Sequence, residues 1–172
     1  MTKKVFVSGC FDMLHSGHVA FFRDAACYGE VYVALGSDQT IYSLKGRPTV
    51  NDEQERLFMV KSVVWVKDAF ISRGSGLLDF EAELGEMRPD YFVVNADGDT
   101  PEKRALCQAL DIEYVVLERK PFVGLAQRST TALRGQDYLP YRIDLAGGWL
   151  DQPYVSQYYP GAVVTISLEP TH

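Results

Sequence analysis

Residues 5–38, VFVSGCFDMLHSGHVAFFRDAACYGEVYVALGSD, decide the fold. Val5 to Ser8 is a short β-rich run closed by Gly9. Val31 to Leu35 is a second such run, closed by Gly36-Ser37-Asp38. Between them Val19, Phe22 and Ala26 fall on one face of a helix that opens after Gly17, with Ser16 placed to cap it. Near-continuous apolar runs indicate strands covered on both faces, and a helix joining two of them indicates a parallel crossover unit.

The same alternation extends outward. Tyr91 to Val94 and Tyr114 to Leu117 read as strands, and Val63 to Val66 as a further one. Leu57, Val60, Lys61 and Val64 lie on one side of a helix that Asn51 can cap, with Gln54 three residues on. Leu77 to Met87 and Pro101 to Leu110 are two more helices. Pro101 suits a first turn and Pro89 ends the preceding helix. Strands alternating with helices over about 120 residues predict an α/β fold, a doubly wound parallel sheet. Ligands of such sheets sit beyond the carboxyl ends of the strands. The segments to inspect are therefore 9–18, 37–48, 95–100 and 119 onward. After Gly135 the texture changes to a stretch rich in proline and tyrosine, with Gly147-Gly148 and two strand-like runs, Arg142 to Leu145 and Val163 to Leu168. This predicts a domain over 1–135 and a β-containing appendage over 136–172.

With 172 residues, the chain is long enough to bury roughly 70% of its unfolded surface without a metal or disulfide staple. Hydrophobic residues make up 47% and charged residues 23%, which excludes disorder or coiled coil as the whole answer. No run approaches the ~18 apolar residues of a membrane span, and the N-terminus lacks the pattern of a secretory leader. The net charge of −6 argues against nucleic acid as the main partner. Cys10, Cys27 and Cys107 are odd in number and lack metal-ligand spacing, so they read as reduced thiols of a cytoplasmic protein.

Only three histidines are present, and two of them, His15 and His18, lie three apart directly after the first strand. At a helix start this spacing puts both rings on one side, facing the positive end of the helix. Gly17 between them lets another group approach the backbone. Three readings stand open on spacing alone: a phosphate site, a zinc pair, or two unrelated surface histidines.

GCFDMLHSGHVAFFRDAACYG resembles the opening of the cytidylyltransferase-like nucleotidyltransferases, with their HxGH signature. KGRPTVNDEQERLFMVKSV resembles the second segment of that family, and RSTTALR, at 128–134, its third. The three occur in the family's order. The resemblance implies a Rossmann-like fold and a reaction in which a phosphorylated small molecule, a sugar or alcohol phosphate, attacks the α-phosphate of CTP or ATP. It assigns His15, His18, Lys45 and Arg134 to catalysis. It assigns Gly9, Cys10, Phe11, Asp12, Asp97, Asp99, Arg119, Ser129, Thr130 and Thr131 to nucleotide binding. Asp97 and Asp99 read equally well as parts of an Asx-rich turn. Arg128 stands where the family has isoleucine. Mg²⁺ is implied as a triphosphate-bound ion without a dedicated protein cage, and a homodimer is expected.

Residues 140–170 resemble a second family, the opening strands and glycine loop of GHMP sugar kinases such as fucokinases and heptose-phosphate kinases. The ATP-binding loop of that family does not follow, so the resemblance implies a fused or missing kinase domain and favours a sugar-phosphate acceptor. Two other functions compete with the enzyme: a nucleotide-binding module without turnover, and an interaction domain whose tail pairs with another chain.

Overall fold

The computed structural model describes residues 2–134 and the backbone of two further strands, 141–146 and 164–168. Five strands form one parallel sheet: β1 (Lys4–Gly9), β2 (Glu30–Leu35), β3 (Val66–Ile71), β4 (Tyr91–Asn95) and β5 (Glu113–Leu117). Their order is β3-β2-β1-β4-β5, so the chain reverses direction across the sheet beside β1. The helices are α1 (Ser16–Ala26), α2 (Asp38–Lys45), α3 (Glu53–Lys61), α4 (Glu81–Met87), α5 (Pro101–Ala109) and α6 (Thr130–Arg134). The doubly wound α/β expectation holds, and the topological switch falls next to β1, where ligands of such sheets bind.

Two apolar layers cover the sheet. On one face Val5, Val7, Val31, Val33 and Leu35 pack against Phe21, Phe22 and Ala25 of α1 and Val60 of α3. On the other, Phe6, Ala34, Phe92 and Val94 pack against Phe80, Leu84 of α4 and Cys107 of α5. Phe6 meets Phe92 edge-on at 5.4 Å, a favoured aromatic geometry.

Several local expectations are corrected. Val63 to Val66 is not a strand. Only Val66 joins β3, whose continuation carries Lys67 and Asp68 because β3 is an edge strand with exposed positions. Residues 38–45, within a segment to which no helix was assigned, form helix α2, capped by Ser37 and closed by Gly46 in the left-handed conformation (φ 65°). The cap of α3 is Asp52, which accepts from the Glu55 N–H at 2.8 Å, not Asn51. The inward face of α3 is Arg56 and Val60, while Val64 is exposed. Helix α4 begins at Glu81 and not at Leu77.

The chain divides into two compact units, Met1–Thr130 and Thr131–His172. In the second, β6 (Tyr141–Ala146) and β7 (Val164–Leu168) pair antiparallel, matching the two strands expected there. Among the described residues no helix is long and apolar enough to cross a membrane.

Candidate active site

The loop between β1 and α1 is built under tension. Phe11 and Met13 both adopt left-handed backbone angles (φ 49° and 52°), uncommon for bulky residues and costing ~1–3 kcal/mol each. Packing and hydrogen bonds hold them there. The Phe11 ring folds back over Gly9, where a Cβ would lie 2.8 Å from it. It also meets His18 edge-on at 5.4 Å and Phe22 at 4.9 Å. Asp12 is buried, and its carboxylate accepts from the N–H groups of Val50 and Asn51 at 3.1 Å. Its carbonyl accepts from the Thr130 hydroxyl at 3.1 Å. Asp12 thus ties the first segment to the second and the third.

His15, not Ser16, caps α1: its Nδ1 accepts from the Gly17 N–H at 3.1 Å. A neutral His15 must therefore carry its proton on Nε2. The ring stacks on His18 at 3.9 Å with an interplanar angle of 20°. His15 Nε2 and His18 Nδ1 are both buried with no hydrogen-bond partner among the described residues. Burial lowers the pKa of His15, and the positive charges of Arg119 and Arg128 add to it. Burial likewise pushes His18 down to about 3, helped by His15, Arg119 and Lys45. The pair is neutral at pH 7 and presents orphaned ring nitrogens to a space edged by cations.

Gly17 is required by two neighbours. A Cβ there would lie 2.9 Å from His15 Cε1 and 3.3 Å from the Arg128 carbonyl oxygen. That carbonyl also accepts from Arg119 Nη2 at 2.8 Å, which links residues 119 and 128 beside the start of α1. The other arm of Arg119 reaches Asp97 at 3.2 Å. A small cleft beside these groups is lined by Gly17, Phe21, Asp24, Asn95, Leu117, Glu118, Arg119 and Lys120.

The expected site residues do not all converge. His15, His18, Arg119, Asp12 and Thr130 come together, and Lys45, exposed at the end of α2, acts on His18 through its charge. Asp99 turns instead to Arg104 in a two-pronged ion pair at 2.7 and 2.8 Å. Cys10 contributes its carbonyl rather than its thiol. Ser129 precedes α6; Thr131 and Arg134 lie in α6 beyond the boundary between the units. Among the described residues no group of three or more His, Cys, Asp or Glu could hold a metal.

Arg56 was missed in the sequence. It is 1% exposed and donates to the carbonyls of Cys10 (2.7 Å), Gly36 (2.9 Å) and Asn51 (3.2 Å) and to Asp38 (2.7 Å). It thereby locks the carboxyl ends of β1 and β2 to the starts of α2 and α3. The signal was present: Arg56 sits four residues before buried Val60, a charge on the inward stripe of an amphipathic helix.

Stacked histidines at a helix start, flanked by arginines at the switch point of a doubly wound sheet, are the arrangement that the nucleotidyltransferase resemblance implies. Comparison with known proteins agrees. The cytidylyltransferase-like family model matches residues 6–141, and the chain belongs to that family. It is 37% identical over 107 residues to a FAD synthase of Methanopyrus kandleri, spanning 60% of this chain and 69% of that protein. It is 37% identical over 101 residues to an ethanolamine-phosphate cytidylyltransferase of Arabidopsis thaliana, spanning 57% of this chain and 23% of that one. A lipopolysaccharide core biosynthesis protein from Thermoplasma volcanium GSS1 shares the fold, with a TM-score of 0.59 and 22% identity over 71% of this chain and 99% of that one. The sugar-kinase resemblance of residues 140–170 finds no support in these comparisons and falls largely outside the described residues.

Proposed function

We propose that the chain transfers an adenylyl group from ATP to the phosphate of a small phosphomonoester and releases pyrophosphate. The observation that carries this reading is the neutral, stacked His15–His18 pair with orphaned ring nitrogens beneath Arg119 and Arg128. An oxygen of the acceptor phosphate attacks the α-phosphorus. The bond from that phosphorus to the bridging oxygen breaks, and pyrophosphate leaves with the electron pair. The nucleophile is already an anion, so no general base is needed, and catalysis is positioning plus charge stabilisation.

In this reading His15 donates from Nε2 to an α-phosphate oxygen, and His18 donates beside it as negative charge moves toward the leaving group. Arg119 and Lys45 neutralise the remaining phosphate charge, and Thr130 and Ser129 hold the third segment at the site. Gly9, Cys10 and Phe11 shape the phosphate loop, and Asp12 fixes it. In this reading the nucleoside lies along the groove beside Gly17 and Asn95, with Asp97 joined to it through Arg119. Mg²⁺ arrives as part of the triphosphate substrate. Asp12 accepts from the backbone N–H groups of Val50 and Asn51, and Asp97 pairs with Arg119.

Adenine is favoured over cytosine because the FAD synthase relative, whose product carries adenine, is matched over most of its length, whereas the cytidylyltransferase is matched over a quarter. Pyrophosphate release with MgATP or MgCTP, against FMN, sugar phosphates, glycerol 3-phosphate and ethanolamine phosphate, tests the proposal. ATP should support turnover at least about tenfold better than CTP, a difference of about 1.4 kcal/mol in the transition state. Absence of turnover with every pair, or a preference for CTP, overturns it.

A further inference from the structure

The backbone at Arg128 is fixed from both sides. Its carbonyl accepts from Arg119 Nη2 at 2.8 Å and stands 3.3 Å from where a Cβ on Gly17 would lie. Just beyond it, the Thr130 hydroxyl donates to the Asp12 carbonyl at 3.1 Å. The side chain, in contrast, is exposed, and among the described residues it has no ion pair and no hydrogen bond. Other arginines are taken up by carboxylates: Arg23 by Asp24, Arg56 by Asp38, Arg73 by Glu83 and Glu86, Arg104 by Asp99, and Arg119 by Asp97. An unpaired guanidinium on a fixed backbone, close to buried histidine nitrogens that also lack a partner, points to an anionic ligand. The isoleucine of the family pattern at this place would bring no charge.

The sheet order says which anion. Helix α2, with Lys45 at its end, follows β2 on one side of β1, and Arg119 follows β5 on the other. Arg128, held by Arg119, belongs to the β5 side. The histidines register both sides. After burial, the charges that lower His15 are those of Arg119 and Arg128; those that lower His18, after burial and His15, are those of Arg119 and Lys45. In-line displacement puts the attacking and leaving oxygens on opposite sides of the α-phosphorus. With that phosphorus over the rings, cations on opposite sides serve different phosphate groups. Of the cations that act on the histidines, the β5 side holds a pair of guanidinium forks and the β2 side an ammonium. Pyrophosphate carries more charge and more acceptor oxygens than a phosphomonoester, so it fits the side with the forks, even with Asp97 taking one arm of Arg119.

We propose that Arg128 binds the pyrophosphate part of the triphosphate, on the side of the stacked histidines opposite Lys45, and holds it as it leaves; this rests on the nucleotidyl-transfer reading above. Calorimetric titration of the full chain with inorganic pyrophosphate and with AMP, Mg²⁺ present throughout, needs no turnover. Arg128→Ile should weaken pyrophosphate binding about tenfold, the scale of one charge-assisted hydrogen bond, and leave AMP within about twofold. Arg128→Lys, which keeps the charge without the fork, should lose about threefold. Arg128→Gln, which removes the charge and keeps a polar side chain, is the second variant if Arg128→Ile does not fold. In the parent, pyrophosphate should also move the NMR signals of the His15 and His18 rings, which places it at the pair. Pyrophosphate that does not bind the parent, binds without moving those signals, or binds the charge-free variant as tightly overturns the assignment, as does an equal loss for AMP. Pyrophosphate release from MgATP is scored separately. Turnover with pyrophosphate affinity unchanged in the variant sinks the role of Arg128 alone, and the expected loss of affinity without turnover on any acceptor sinks the transfer reaction alone.

Discussion

Replacing Arg56 tests whether a buried cation organises the phosphate loop. Its guanidinium makes four hydrogen bonds, to Cys10, Gly36, Asn51 and Asp38, at 1% exposure. Deleting one partner of a buried ion pair costs ~3–5 kcal/mol. Here the Asp38 side chain is 40% exposed, so water can take up its freed oxygen and the lower end applies, about 3 kcal/mol. Thermal midpoints of chains this size move roughly 2–4 °C per kcal/mol, so Arg56→Ala should lower the melting temperature by about 6–12 °C. Arg56→Lys keeps the charge but loses the rigid fork that spans three carbonyls. It should recover about half of the stability, and MgATP affinity should still fall about tenfold, because Cys10 and Gly36 lose their common anchor. Differential scanning calorimetry and MgATP titration read the two effects. A melting temperature of Arg56→Ala within about 2 °C of the parent would refute the reasoning.

Four further outcomes follow from the same geometry. His18→Ala should lower turnover about 10²–10³-fold, the scale of one lost transition-state donor, with the fold retained; steady-state pyrophosphate release checks it, and an unchanged rate removes His18 from the site. Gly17→Ala forces a Cβ to 2.9 Å from the His15 ring, and urea unfolding should register an overpacking cost of ~1–3 kcal/mol together with weakened MgATP binding. His18 titrates near 3 folded but near 6.5 unfolded, so its contribution is intact above pH 6.5 and is lost on acidification from there to about 3, by up to ~1.4 kcal/mol per pH unit; His18→Gln should flatten that part of the urea-derived stability curve. Asp79 has the opposite sign: burial first and Glu83 second raise it to about 6, so its charged form costs stability above that pH and the cost fades as pH falls toward 3.8. Asp79→Asn should therefore raise the melting temperature at pH 7.5 by several degrees, a relief of about 3 kcal/mol at most, and the gain should vanish near pH 4.

The parallel sheet was legible because β1, β2, β4 and β5 are near-continuous apolar runs, although β5, at the sheet edge, is only partly covered. The edge strand β3 was not, since Lys67 and Asp68 are exposed and interrupt the run, and the apolar Val63-Val64-Trp65 just before it drew the reading forward. Helix α2 was hidden by its polar composition, DQTIYSLK, whose inward contacts are only Thr40 and Ile41. In the site, the histidine pair and Gly17 could be read from spacing, since i and i+3 at a helix start share a side. Arg56 showed only as a charge on the inward stripe of α3, four residues before Val60; its carbonyl partners, Cys10 and Gly36, leave no residue-type signal. Asp79 was silent for a related reason. A single carboxyl before a helix looks like any cap until its burial is known.

The distribution of charge explains how a chain of net charge −6 can gather a polyanion. Several of its cations are already engaged: Arg56 by Asp38, Arg73 by Glu83 and Glu86, and Arg104 by Asp99. Arg119, though paired with Asp97, acts with Arg128 on His15, and Lys45 adds its charge on His18 from α2. These cations would repel a protonated His15–His18 pair, which is one reason both rings are held neutral. Neutrality suits a site that must bind a triphosphate and then release pyrophosphate. Fully charged rings at close range would contribute ~4 kcal/mol per contact at an effective dielectric near 20, to the ground state as much as to the transition state. Binding both states equally gives no rate advantage. In the proposed transfer, a neutral N–H facing the leaving phosphate would strengthen as charge develops there, and its contribution would fall on the transition state.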